Sequence, residues 1–115
     1  MKLLIVDDYP KIRAMLKSMY GFMFDETIEA SDGTEAIELY KKHLPNWVLM
    51  DVKMKQMDGI TATQKIKQFD KNAKIIVVTL FEDSLTKENA ISAGAYELVP
   101  KSDLTKIGDL FFPAT

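Results

Sequence analysis

The chain of 115 residues contains no cysteine, which excludes disulfides, thiol catalysis and thiolate metal sites. Its net charge is −2 at pH 7, so it lacks the basic footprint that nucleic-acid and membrane-surface binders carry. No apolar run approaches the roughly 20 residues that a membrane-spanning helix needs, and the N-terminus does not resemble a signal peptide. We therefore expect a cytoplasmic protein that forms one domain over residues 1–115.

What the chain does contain is a regular alternation of short apolar runs and segments with helical periodicity. The apolar runs predict five strands, at about residues 2–7, 26–30, 47–51, 74–79 and 95–99. After the first strand, apolar side chains recur at the spacing of one helix face. They are Ile12, Met15, Leu16, Met19 and Tyr20.

Capping residues indicate where other helices begin. Asp32, followed three residues later by Glu35, resembles a capping box. The fourth helix, at about residues 83–93, has only a thin apolar stripe. Ser102 or Asp103 would cap a short last helix.

Five βα units in this length predict a parallel sheet with helices on both faces. Right-handed crossovers leave few topologies, and the flavodoxin-like doubly wound α/β fold, with strand order 2-1-3-4-5, is the commonest at this size. In that order the first, third and fourth strands are neighbours. Their carboxyl ends meet at the switch point, where ligands bind in such sheets.

Polar side chains follow the strands at this predicted edge. Asp7 and Asp8 follow the first strand, Asp51 ends the third, Thr79 ends the fourth and Lys101 follows the fifth. Three converging carboxylates repel one another unless a cation lies among them, and Mg²⁺ prefers oxygen ligands. A carboxylate can also act as a nucleophile and form an acyl phosphate, while a hydroxyl and an ammonium group can bind phosphoryl oxygens. The set therefore predicts a site for a phosphoryl group and a divalent metal.

Each of these residues, taken alone, also has a simpler structural interpretation. An aspartate at a strand end is commonly a turn residue or a helix cap. A threonine there is commonly a packing residue, and a single lysine is commonly a solvated charge. Only the joint placement of complementary groups at four strand ends favours a functional site.

Together with its flanking residues, this set resembles the receiver domain of bacterial response regulators over nearly the whole chain. The acidic pair after the first strand resembles that of the family. The segment from Asp51 to Gly59 resembles the phosphoacceptor pattern D-x-x-M-P-x-M-x-G, and Thr79 and Lys101 match the hydroxyl and lysine of the family. Residues 93–95, Ala-Gly-Ala, are a further match.

The resemblance implies that Asp51 accepts a phosphoryl group from a histidine kinase or a phosphotransfer protein. It also implies that Asp8, Asp51 and the backbone carbonyl of Lys53 bind Mg²⁺, with Asp7 acting mostly through water. The domain would catalyse only its own phosphorylation and dephosphorylation, and would not otherwise be an enzyme.

The resemblance further implies a two-state switch, in which phosphorylation biases the face formed by the fourth helix, fifth strand and fifth helix toward a partner. That partner is an output domain or a separate protein, and a homodimer formed on phosphorylation is a further option. Direct contact with nucleic acid or membrane is not expected. We expect no output domain within the chain, so both a single-domain regulator and a receiver excised from a longer protein stay open.

The chain departs from the family pattern at several positions, among them Ser102, which follows Lys101 where proline is frequent. Lys55 stands where proline is usual, and Leu80 stands where a small residue usually lies beside the phosphoryl group. Leu80 would either shield the acyl phosphate from water or obstruct phosphodonors, and we expect slow dephosphorylation.

Leu98 occupies the usual aromatic switch position. On a strand Tyr96, two residues earlier, would face the same way and could replace the switch aromatic. A partly exposed side chain of the edge strand is the simpler interpretation of Tyr96.

Two other functions stay open. These departures motivate a receiver-like interaction domain that works without phosphate. A flavodoxin-like flavin binder is the weaker alternative, because the acidic pair lies where a phosphate loop needs small residues and backbone donors.

Overall fold

The computed structural model describes residues 1–80 and 83–113, in which strands and helices alternate along the chain. The strands are β1 (Lys2–Val6), β2 (Glu26–Ala30), β3 (Trp47–Asp51), β4 (Ile75–Thr79) and β5 (Glu97–Pro100). The α-helices are α1 (Pro10–Tyr20), α2 (Gly33–His43), α3 (Gly59–Phe69), α4 (Ser84–Ser92) and α5 (Ile107–Phe111). Two 3₁₀ helices cover Gly21–Met23 and Lys101–Lys106.

The five strands form one parallel sheet in the order β2-β1-β3-β4-β5, which confirms the predicted doubly wound fold. Every residue of β3 and β4 is buried. Because successive side chains of a strand point to opposite faces, β1, β3, β4 and β5 each supply residues to two apolar clusters, one under each helical layer. The edge strand β2 contributes to only one of them. Continuous apolar runs are what a parallel sheet covered on both faces requires.

Acidic side chains cap three of the helices. Asp32 accepts a hydrogen bond from the backbone N–H of Glu35 at 2.8 Å, and the Glu35 carboxylate accepts one from the N–H of Ser31 at 2.9 Å. The predicted capping box is thus confirmed, with Ser31 as the second donor. Asp58 and Asp83 cap α3 and α4 in the same way, so these carboxylates have structural roles.

The last helix begins differently from the prediction. Neither Ser102 nor Asp103 caps it; residues 101–106 form a 3₁₀ helix that runs into α5. The Tyr20 hydroxyl of α1 donates a hydrogen bond to the carbonyl of Leu104, which holds this 3₁₀ segment against the first helix. As a result, Lys101 begins the 3₁₀ segment directly at the end of β5.

Tyr96 does not face the same way as Leu98, so that expectation is wrong, but it is 51% exposed beside the edge strand, as the simpler interpretation has it. Its ring packs edge-on against Trp47, with 5.0 Å between the centroids, at the edge where the strands begin. Leu98 is buried in the cluster on the other face of the sheet. The reason is that Tyr96 precedes β5, so the alternation of side chains along a strand does not apply to it.

The helix α4 is weakly anchored. Of its nine residues only Ala90 is buried, whereas Leu85 and Ile91 are exposed. This agrees with the thin apolar stripe in the sequence. The longest helices in residues 1–80 and 83–113 have eleven residues, and none has the length and apolarity needed to cross a bilayer.

Candidate functional site

Three carboxylates converge at the carboxyl edge of the sheet. One oxygen each from Asp7, Asp8 and Asp51 lies within 4.8 Å of the other two. They meet because β1 and β3 are neighbours with Val6 opposite Met50, so the residues that follow or end these strands lie side by side. Asp7 and Asp51 are buried and Asp8 is half-buried.

Lys101 reaches into this cluster from the end of β5. Its Nζ donates a hydrogen bond to Oδ2 of Asp7 at 3.0 Å and lies 3.1 Å from Oδ1 of Asp51. Burial alone lowers the pKa of Lys101, but the hydrogen bond to Asp7 and the charges of both aspartates raise it above the usual value. The lysine is therefore held as an ammonium ion that links two carboxylates.

The pKa of Asp51 is raised to about 6. Burial is the main cause, the charge of Asp7 adds to it, and Lys101 opposes both. The anionic form of Asp51 is thus poorly stabilised by the protein alone. A cation close to this carboxylate would favour the charged form.

The two members of the acidic pair differ in their hydrogen bonds. Asp7 has both oxygens occupied, since Oδ1 accepts from the N–H of Tyr9 at 2.9 Å and Oδ2 accepts from Lys101. Oδ1 of Asp8 is buried and has no hydrogen-bond partner among the described residues. A buried acceptor without a donor is uncommon and suits a position reserved for a ligand. Asp8 and Asp51 therefore fit a divalent cation directly, and Asp7 fits it less well.

The site opens into a cavity of about 300 Å³. Its charged and hydroxyl residues, which we call the floor, are Asp8, Asp51, Thr79 and Lys101. Its outer residues, which we call the rim, are Tyr9, Lys53, Met54, Lys55 and Leu80. The predicted acceptor, hydroxyl and lysine thus share one cavity, and Lys53 lies beside them.

The glycine that ends the acceptor segment is required by a close approach of backbone. A Cβ on Gly59 would lie 1.8 Å from the carbonyl oxygen of Asp51. The backbone N–H of Gly59 donates a hydrogen bond to the carbonyl of Val52 at 2.8 Å. Gly33 packs against the same loop, because its own Cβ would lie 2.6 Å from the carbonyl oxygen of Met57. These contacts fix the loop that carries Lys53 and its neighbours over the site.

Sequence reasoning missed one residue that holds the acidic pair in place. Nη1 of Arg13 donates to the backbone carbonyl of Asp7 at 2.6 Å, and Nε donates to Glu29 at 3.1 Å. Arg13 thereby fixes the turn between β1 and α1. One feature of the sequence could have drawn attention to Arg13: it is the only arginine of the chain, among fourteen lysines.

Comparison with known proteins identifies the family and the fold. The family model described as response regulator receiver domain matches residues 3–109. The chain belongs to this family. The receiver domain is 41% identical over 101 residues to the chemotaxis protein CheY of Bacillus subtilis (strain 168), covering 87% of this chain and 84% of that protein.

Two solved structures resemble the receiver domain closely. One is the CheX-CheY-BeF3-Mg+2 complex from Borrelia burgdorferi, with a TM-score of 0.80, 30% identity and coverage of 96% and 89% of the two chains. The other is a LuxR-family two-component response regulator from Aurantimonas sp. SI85-9A1, with a TM-score of 0.86, 29% identity and coverage of 96% and 83%.

Proposed function

We propose that this receiver domain takes a phosphoryl group from a histidine kinase or a phosphotransfer protein onto Asp51. The observation that carries the proposal is the position of the Asp51 carboxylate. It is buried at the floor of an open cavity, beside the ammonium group of Lys101 and an Asp8 oxygen that has no hydrogen-bond partner in residues 1–80 and 83–113. Membership of the family supports the same role.

In the proposed step, a carboxylate oxygen of Asp51 forms a bond to phosphorus while the bond from phosphorus to the donor breaks. The electron pair of that bond leaves with the donor group, and Asp51 becomes an acyl phosphate. Lys101 neutralises negative charge on the phosphoryl oxygens, and Thr79 donates its hydroxyl to one of them. The domain is not otherwise an enzyme, since it would act only on its own phosphorylation and dephosphorylation.

The residues present fit Mg²⁺ as the metal of this site. Asp8, Asp51 and the backbone carbonyl of Lys53 would hold it directly, and Asp7 would act through water because both of its oxygens are already hydrogen-bonded. When bound, Mg²⁺ supplies positive charge that offsets the carboxylates and the phosphoryl oxygens.

We further propose that phosphorylation shifts the face formed by α4, β5 and α5 toward a partner-binding state. The weak anchoring of α4 through Ala90 supports this, because a helix with little buried surface moves at low cost. The partner is an output domain or a separate protein, with a homodimer as a further outcome. Residues 1–115 would act as a single receiver domain in the cytoplasm.

The test is phosphorylation with acetyl phosphate and Mg²⁺, measured by intact mass. We expect a gain of one phosphoryl group that disappears in Asp51→Asn and persists in the control Asp58→Asn, where the asparagine can still cap α3. Mass is the better readout, because the only tryptophan, Trp47, lies about 13 Å from Asp51 along β3.

Other outcomes would change the assignment. Metal binding without any gain of mass would favour an interaction domain that works without phosphate. A mass gain that survives in Asp51→Asn would place the acceptor elsewhere. A yellow preparation carrying flavin would favour the cofactor-binding alternative.

A further inference from the structure

The rim of the cavity carries a lysine with no assigned role. Lys55 is exposed and lines the same cavity as Asp51. Within the described residues its side chain forms neither a hydrogen bond nor an ion pair. Its charge is therefore available to whatever enters the cavity.

The three carboxylates of the site can be balanced without the charge of this rim lysine. Asp7, Asp8 and Asp51 outnumber the single ammonium of Lys101, and one divalent cation offsets the difference. A seated phosphoryl group brings negative charge of its own, and that charge lies beside such a cation and Lys101, whereas Lys55 lines the rim. Lys55 then faces the remainder of the donor molecule, at the mouth of the cavity.

The same mouth offers apolar surface. Tyr9 and Leu80 are 62% and 70% exposed and line the rim together with Met54. A cavity of about 300 Å³ reaches the lower limit of pockets for small organic ligands, and it exceeds what one phosphoryl group fills. The rim thus suits a leaving group with an apolar body and a negative charge.

We propose that Lys55 determines donor specificity, and that the site favours acyl phosphates whose leaving group carries a second carboxylate on an apolar body. This inference rests on the proposed phosphorylation of Asp51. In the reaction, an oxygen of Asp51 bonds to phosphorus while the bond from phosphorus to the acyl oxygen breaks. The electron pair leaves on that oxygen, so the leaving group departs as a dicarboxylate and no proton is transferred. Lys55 pairs with the distal carboxylate throughout.

The test compares two donors that differ by one charge, 4-carboxybenzoyl phosphate and 4-carbamoylbenzoyl phosphate. Their second-order rates of phosphorylation are measured with Mg²⁺ at low ionic strength by intact mass. We expect the carboxylate donor to react about two- to fivefold faster, the range for an exposed ion pair. High salt should abolish the preference, since it screens exposed charges.

The decisive variant is Lys55→Gln, and the matched control is Lys65→Gln on the exposed side of α3. The preference, measured as the ratio of the two rates, should vanish in the first and persist in the second. A preference that survives in Lys55→Gln, or its absence from the parent protein, would overturn the inference.

Acetyl phosphate separates this inference from the proposed function. If acetyl phosphate phosphorylates Asp51 but the charged donor shows no preference, only the role of Lys55 fails. If no donor phosphorylates Asp51, the proposed function fails and the donor specificity fails with it.

Discussion

The two edges of the sheet differ in what their residues contribute. Where the strands begin, aromatic rings pack together, and the Trp47 ring lies 5.0 Å from that of Tyr96 and 5.4 Å from that of Phe111 between centroids. Where the strands end, Asp51 is buried close to Asp7, and its pKa is raised to about 6. The strand β3 therefore begins at Trp47, whose aromatic packing is stabilising, and ends at Asp51, whose buried charge is unfavourable.

This difference shows that stability and chemistry are separated along β3. Aromatic packing at one edge lowers the free energy of the folded state. Clustered carboxylates at the other edge raise it until a ligand binds, as is common at functional sites. Substitutions at the two edges should therefore change stability in opposite directions, and each of the following predictions tests that separation.

The largest effect is expected at the aromatic edge. Trp47→Ala should lower the free energy of unfolding by about 3–5 kcal/mol, because a nearly fully buried indole is replaced by a cavity. Trp47→Phe should lower the free energy of unfolding by less than Trp47→Ala does. Denaturant unfolding measures both, and the Mg²⁺ affinity of the folded Trp47→Phe protein should match that of the parent. A marked fall in that affinity would show that the edges are not separate.

The acidic edge should give the opposite sign. Asp51→Asn should raise the free energy of unfolding in metal-free buffer at neutral pH, by at most about 3 kcal/mol, because it removes a buried charge that is poorly stabilised. Thermal unfolding of the parent and the variant checks this. A lower melting temperature in the variant would contradict the proposed electrostatic cost.

The same group predicts a pH dependence. The folded pKa of Asp51, about 6, lies above the ordinary 3.8, so the folded state binds more protons than the unfolded state between these values. Stability should therefore fall as the pH rises from about 4 to about 6, and then level off. Subtracting the curve of Asp51→Asn isolates this contribution, and a difference curve that is flat or rises with pH would contradict it.

A smaller effect is expected at the rim. Leu80 lines the cavity, where it can shield the acyl phosphate from water. Leu80→Ala should speed dephosphorylation by about three- to tenfold, which corresponds to roughly 0.7–1.4 kcal/mol in the barrier. Decay of radiolabelled phosphoprotein measures the rate, with Leu85→Ala as a control for an exposed leucine outside the cavity. Equal rates in Leu80→Ala and the parent would remove the shielding role.

The smallest effect is expected for Tyr96. Tyr96→Leu should destabilise the protein by about 0.5–1 kcal/mol through loss of the edge-on contact with Trp47. It should leave the rates of phosphorylation and dephosphorylation unchanged, because Tyr96 lies at the far edge from Thr79. A changed rate would restore a role for Tyr96 in the switch and break the comparison between the two edges.

Much of the fold was predictable because it depends on local patterns. The apolar runs located β2 and β3 at the observed residues, and the pair of Asp32 and Glu35 located the start of α2. Tyr96 and Arg13 were not predictable in this way. Their partners, Trp47 and Asp7, come from other segments of the chain, and a pattern within one segment carries no information about them.

The sequence by itself determined the parallel sheet and the strand ends that carry Asp51, Thr79 and Lys101. Apolar periodicity and the residue types at strand ends are properties of short segments, so they can be recognised in the sequence without knowledge of the fold. Only the tertiary structure decided that Lys101 bridges the carboxylates of Asp7 and Asp51, and that Oδ1 of Asp8 has no hydrogen-bond partner in the described part of the chain. Hydrogen bonds, burial and the pKa of Asp51 depend on distances between segments, and those distances are set when the whole chain packs.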